Sequence, residues 1–186
     1  MSVVHDAVLA DVVPLDVPFT GPLGAIQRVM NALNTALAVF SAVAIGLAGL
    51  VLTWEVFGRH IWGFPSDWQD EFAVFLLIGA TFASAAWTQA RRGHVGIEAL
   101  AAILPPGINR ARRLLADLFT LVFTGFFTWK TWQLLNEAIE EGTTSSSSWA
   151  PPLWIPYAAM TVGMALLTMQ LALQVLGAPS VWERRK

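Results

Sequence analysis

Three histidines, His5, His60 and His94, and thirteen acidic residues are the groups from which this chain would have to build a metal, haem or acid–base site. Helical bundles make such sites from inward side chains of several helices at one level. The histidines share no level: His5 stands in the N-terminal stretch, while His60 and His94 flank opposite ends of an apolar run. If that run crosses a bilayer, roughly 30 Å of hydrocarbon separates the last two. There are no cysteines, which removes disulfides, thiolate ligands and a thiol nucleophile. No Gly-rich phosphate loop, His-Glu-x-x-His pair or nucleophile elbow occurs. The expectation is a chain that is not an enzyme, with no catalytic residue, no cofactor and no metal ligand of its own.

The elements that position these residues are membrane helices. Hydrophobic residues make up 55% of the 186 and charged residues 13%, with nine tryptophans, whereas soluble domains carry about 25% charged residues. Residues 72–90 form an uncharged run of 19, with Asp67, Asp70 and Glu71 before it and Arg91, Arg92 and His94 after it. About 20 apolar residues at 1.5 Å each cross a bilayer core. Residues 29–54 give 26 uncharged positions between Arg28 and Glu55, and residues 153–182 give 30. The run at 114–136 is less clean: Asp117 lies four residues after Arg113, and Lys130 is near enough to an end to snorkel. The sequence therefore predicts an all-α integral membrane protein with four transmembrane helices, at about 29–54, 71–90, 114–136 and 157–176. They form one membrane domain, residues 23–182, between a loosely ordered tail, 1–22, and a basic end, 183–186. The tail has no cationic start before an apolar block and is not a secretory signal.

The connections carry their own signals. Residues 63–66, GFPS, are turn chemistry, and Ser66 with Gln69 spells a capping box before a helix whose first turn holds Asp70 and Glu71. Residues 91–104 predict a short amphipathic helix at the lipid surface, stopped by Pro105, Pro106 and Gly107; the apolar spacing of Leu23, Ile26, Met30, Leu33 and Leu37 suits a similar start. Residues 137–152 have the composition of a flexible surface loop. Small residues at Ala42, Gly46 and Gly49, and at Gly79, Ala80, Ala83 and Ser84, offer faces for close helix packing, although scattered small residues in ordinary spans explain them as well. Counting Lys and Arg gives nine on the side of the tail, the 91–113 segment and the C-terminus, against Arg59 and Lys130 on the other. That places both termini in the cytoplasm. The polar residues within spans, Asn34, Thr81, Thr124 and Gln170, are too mild for an ion path and suit hydrogen bonds within or between helices.

Candidate interaction residues stand at the edges. Arg59 and Glu71 are positioned to pair across the first hairpin, and Trp68 marks the interface level. Arg91, Arg92 and His94 would grip a partner subunit or anionic lipid, although topology alone accounts for the arginines. Glu98, a lone acid in an apolar segment, calls for a partner. Trp149 and Trp154 would touch an external protein or simply belong to an aromatic belt.

The ordered set of Arg59, Trp68, Glu71, the RRGHV of Arg91 to Val95, Glu98 and the PLWIPY of Pro152 to Tyr157 resembles the small membrane subunit, the DctQ family, of tripartite ATP-independent periplasmic (TRAP) transporters. The family often has Asp where Glu98 stands. The resemblance implies a multi-pass protein of a bacterial or archaeal inner membrane. Its partners would be a large DctM-type membrane subunit, which carries an organic acid using a sodium gradient, a DctP-type periplasmic binding protein and lipid, with no nucleic acid. This chain would be an accessory scaffold without cofactors. The rival readings are a membrane anchor for a redox or other enzyme complex and a regulatory or assembly protein.

Overall fold

The computed structural model describes residues 22–63, 68–90 and 105–183. Within them lie four helices: α1 (Pro22–Trp62), α2 (Gln69–Ala90), α3 (Pro106–Glu140) and α4 (Trp154–Glu183). Each of the four ranges expected from apolar runs falls inside one of these. Three segments, Gly24–Trp62, Gln69–Ala90 and Trp154–Leu176, are long and apolar enough to cross a membrane. α3 has the length, 35 residues, but Asp117, Lys130 and the acids at Glu137 and Glu140 dilute its apolar character. α1 is one uninterrupted helix of 41 residues, about 62 Å at 1.5 Å per residue and twice the hydrocarbon thickness. The first span and the surface-lying start expected before it therefore belong to a single rod. α3 opens with Pro105 as its N-cap and Pro106 in its first turn, where a missing N–H costs nothing. The surface helix expected at 91–104 and the capping box at Ser66 lie outside the described residues.

The helices pack in the order α1, α2, α4, α3, as a slab in which α2 and α4 are central. α2 and α4 run in the same direction, with Phe82 opposite Gly163 and Gln89 opposite Gln174. Burial is inverted relative to a soluble bundle. α1 buries Asn34, Ser41, Ala48 and Glu55, spaced by seven, together with Met30 and Ala44, while Phe40, Leu50 and Phe57 are exposed. α2 buries Ala73, Ala80 and Ala86. α3 buries Thr124 and Thr131 and turns Phe119, Phe123, Phe126 and Trp129 outward. Lipid is as apolar as leucine, so helices in it associate through small residues and hydrogen bonds rather than bulky cores.

The seven-residue spacing on α1 explains a difference from the sequence reading. Ala42, Gly46 and Gly49 lie on the exposed side, and added methyl groups at Gly46 and Gly49 would meet nothing within 4 Å. In α2 the expectation is met at Ala80, which is buried, whereas Gly79, Ala83 and Ser84 are only partly covered. The close approach lies instead on α4. A Cβ at Gly163 would fall 2.5 Å from the carbonyl oxygen of Phe82, so the α2 and α4 backbones meet there.

Candidate interaction site at the loop end

One end of the slab gathers the end of α1, the start of α2 and the connection from α3 to α4. α1 stops at Gly63, φ 66°, whose N–H donates to the carbonyl of Arg59 at 3.2 Å. α3 stops at Gly142, φ 61°, followed by a bond from Thr143 N–H to the carbonyl of Ala138 at 3.2 Å. Both glycines take the left-handed conformation that ends a helix. Tryptophan collects here: Trp54, Trp62, Trp68, Trp149 and Trp154 all belong to this end, as an interfacial belt requires.

Of residues 137–152, expected to be a flexible loop, the first four complete α3, and the 141–153 connection that follows is folded as a small hairpin. Thr144 pairs antiparallel with Pro152. Leu153 N–H donates to Thr143 O, and Ser145 N–H to Pro151 O, each at 3.0 Å. The serines that suggested flexibility supply local bonds, because hydroxyls offer the backbone partners outside helices. Ser147 is the pivot. Its carbonyl and its Oγ each accept from Ala150 N–H at 3.1 Å, holding Ala150 at φ 46°, and its hydroxyl donates to the Glu71 carboxylate. Two residues on, the Trp149 ring meets that of Trp68 edge to face, centroids 6.4 Å apart, and Trp68 meets Phe72 at 6.0 Å. An acid in the first turn of α2 and a tryptophan just before it therefore clamp the hairpin.

Trp68, Glu71 and Trp149, three of the residues singled out from sequence, are brought together. Arg59 is not among them. It pairs at 3.7 Å with Glu55, one turn back on α1, rather than with Glu71. Glu55 is nearly buried and Arg59 largely exposed, so the arginine shields an acid of its own helix. Trp154 is exposed in the first turn of α4. Arg91, Arg92, His94 and Glu98 lie outside the described residues, as does His5, while His60 lies in the last turn of α1. Ser147 and Glu55 escaped the sequence reading; only the seven-residue spacing from Asn34 pointed to Glu55.

At the opposite end the slab is joined by amides. Gln89 Nε2 donates to Gln174 Oε1 at 2.9 Å, and Gln174 Nε2 donates back to the Gln89 carbonyl at 2.9 Å. Asn34 Nδ2 donates to Gln170 Oε1 at 3.1 Å, linking α1 to α4. Thr128 and Thr168 share a bond of 2.9 Å between α3 and α4. Thr81 and Thr124 bond to carbonyls of their own helices. The interhelical and intrahelical roles expected of the mild polar residues are those found.

Between the two ends lies an apolar groove of about 610 Å³, walled by residues such as Phe72 and Leu76 of α2, Ile155 and Leu166 of α4, and Leu37 and Phe40 of α1, with hairpin residues 149–152 at its mouth. The arrangement offers an acid and two indoles beside an oily slot. Such a site binds and positions.

The model for the DctQ component of tripartite ATP-independent periplasmic transporters matches residues 48–178, a stretch that contains the C-terminal part of α1, all of α2 and α3, the hairpin and most of α4. The C4-dicarboxylate TRAP transporter small permease protein DctQ of Vibrio cholerae is 26% identical over 162 residues, 73% of this chain and 68% of that protein.

Proposed function

Because the chain belongs to the DctQ family of TRAP transporter components, and is thus a transporter part rather than an enzyme, we propose that it is the small scaffold subunit of a sodium-coupled importer of organic acids. The observation that carries the reading is the family match across the helices and the hairpin together. Among the described residues the helices bury threonine, serine and amides, with Glu55 the one buried charge and near the loop end of α1, which supports a chain without an ion path of its own. Sodium coupling and substrate passage therefore belong to a large DctM-type subunit, and this chain broadens and steadies it. The Vibrio relative is named for C4-dicarboxylates, and a carboxylate is the substrate class proposed here. All four helices cross an inner membrane, with both termini cytoplasmic by the distribution of Lys and Arg. The loop end then faces the periplasm, where a DctP-type binding protein docks against the hairpin, and Trp149 and Trp154 are exposed for that contact.

A mild-detergent pull-down of the full chain from native membranes, with mass spectrometry of stoichiometric partners, tests the assignment. A large polytopic subunit is the expected partner, and deletion of the chain is expected to abolish sodium-dependent carboxylate uptake. Recovery of a cytoplasmic dehydrogenase or a haem protein instead would overturn it.

A further inference from the structure

The groove between α1, α2 and α4 has the dimensions of a site for one lipid chain. Along α2 its lining runs from Phe72 to Ala83, about 16 Å of helix at 1.5 Å per residue. That is the depth of one leaflet, half of a hydrocarbon core of roughly 30 Å. The slot ends at both extremities. Residues 149–152 stand at its mouth, and at its foot Leu37 lies one turn from Asn34, where the bond to Gln170 draws α1 onto α4. A partner helix about 10 Å across would have to continue past both stops; an acyl chain entering from the side ends within them. The volume, about 610 Å³, lies within the roughly 300–1,000 Å³ of small-molecule sites.

Charge at the mouth selects the headgroup. Glu71 precedes Phe72, a wall residue, and accepts from Ser147 two positions before Trp149. The described charges at this end are Glu55, Asp70, Glu71, Glu137, Glu140 and Glu141 against Arg59 and Lys130. Both cations are engaged: Arg59 with Glu55, and Lys130 with Gln133 at 3.1 Å and with the Trp129 ring. A carboxylate beside an indole face, at an end of the slab whose described charges are mostly negative, favours an ammonium group over a purely anionic one. We infer that the groove holds an acyl chain of a phospholipid whose primary ammonium headgroup, of the ethanolamine type, lies against Glu71 and Trp149.

The inference rests on α1, α2 and α4 spanning a bilayer and not on any partner. Native mass spectrometry of the full chain, released from membranes with whatever subunit stays bound and supplied with equal phosphatidylethanolamine and phosphatidylglycerol, tests it. One phosphatidylethanolamine is expected to persist, enriched roughly five-fold over phosphatidylglycerol. Glu71→Gln is expected to bring the ratio near one while a lipid is still retained. Gly79→Leu fills the slot from a position where a new Cβ meets nothing within 4 Å, and is expected to remove the lipid. Absence of any persistent lipid, or a preference unchanged by Glu71→Gln, would overturn the inference. A photo-crosslinker at Ala159 in the otherwise unaltered chain decides the occupant even if Gly79→Leu fails to fold: an acyl adduct supports the site, and an adduct on protein makes the groove a helix-docking surface and sinks it. Retained lipid without a large subunit would instead count against the transporter assignment alone.

Discussion

Gly163 has no room for a methyl group, and the close backbone approach of α2 and α4 depends on that. The Cβ of alanine would sit 2.5 Å from the Phe82 carbonyl oxygen, which is backbone and cannot swing aside. Gly163→Ala is expected to lower stability in detergent by about 1–3 kcal/mol, the usual cost of overpacking, read as a fall in the unfolding midpoint; no change would mean that the helices stand further apart. The paired glutamines give a graded prediction. Gln174 uses both its amide groups across the interface, whereas Gln89 supplies one side-chain donor and a backbone carbonyl that any residue retains. Interhelical bonds in membranes average about 0.6 kcal/mol and reach about 1.7, so Gln174→Leu is expected to destabilise more than Gln89→Leu. Equal effects would show that the backbone bond adds nothing. At this scale the sequence was partly legible. Asn34 and Gln170 read as hydrogen-bonding within or between helices because polar side chains in apolar spans need a partner, but that they answer one another depended on positions 136 apart in the chain. Glu71 read as the partner of Arg59 because opposite charges near a hairpin turn invite pairing; Arg59 instead pairs within its own helix, and Ser147, 76 positions further along the chain, takes the carboxylate, a long-range contact that local spacing does not mark.

Elements were legible where composition is decisive. Apolar runs located all four helices, and Pro105 and Pro106, read only as a stop to the segment before them, also open α3, eight residues before the expected start of the third span. What composition obscured was the continuation of α1 through Glu55 and Arg59, charged residues that read as a boundary but lie within the rod. The serine run was the other obscured element, since the same residues suit solvated coil and tight hydrogen-bonded turns. The hairpin stores some strain in doing so. Ala150 holds φ 46°, a left-handed conformation that costs a non-glycine residue about 1–2 kcal/mol. Ala150→Gly is expected to stabilise the protein by up to about 1 kcal/mol, and Ala150→Val to weaken it, as measured by midpoint shifts. A destabilising Ala150→Gly would mean that the methyl group at the groove mouth matters more than the backbone.

At the scale of the molecule, the natural absence of cysteine makes orientation directly measurable. For the proposed orientation, Ser148→Cys in the hairpin is expected to react with a membrane-impermeant maleimide added outside spheroplasts, and Ser2→Cys only after permeabilisation; the reverse pattern would invert the topology. The inverted burial is also a whole-molecule property. Bulky aromatics on α3 and aliphatics on α1 form the two outer edges of a slab that never closes on itself, leaving both edges to lipid or to a larger subunit. The packing order α1, α2, α4, α3 has a further consequence for how the protein is made. Its principal contacts are two antiparallel hairpins, α1 with α2 and α3 with α4, joined through the parallel α2–α4 seam. The first hairpin can therefore insert and pair while the second is still on the ribosome, and the seam, with its glycine and glutamines, is the joint closed last. Two separately translated fragments, 1–97 and 98–186, should then find one another in the membrane.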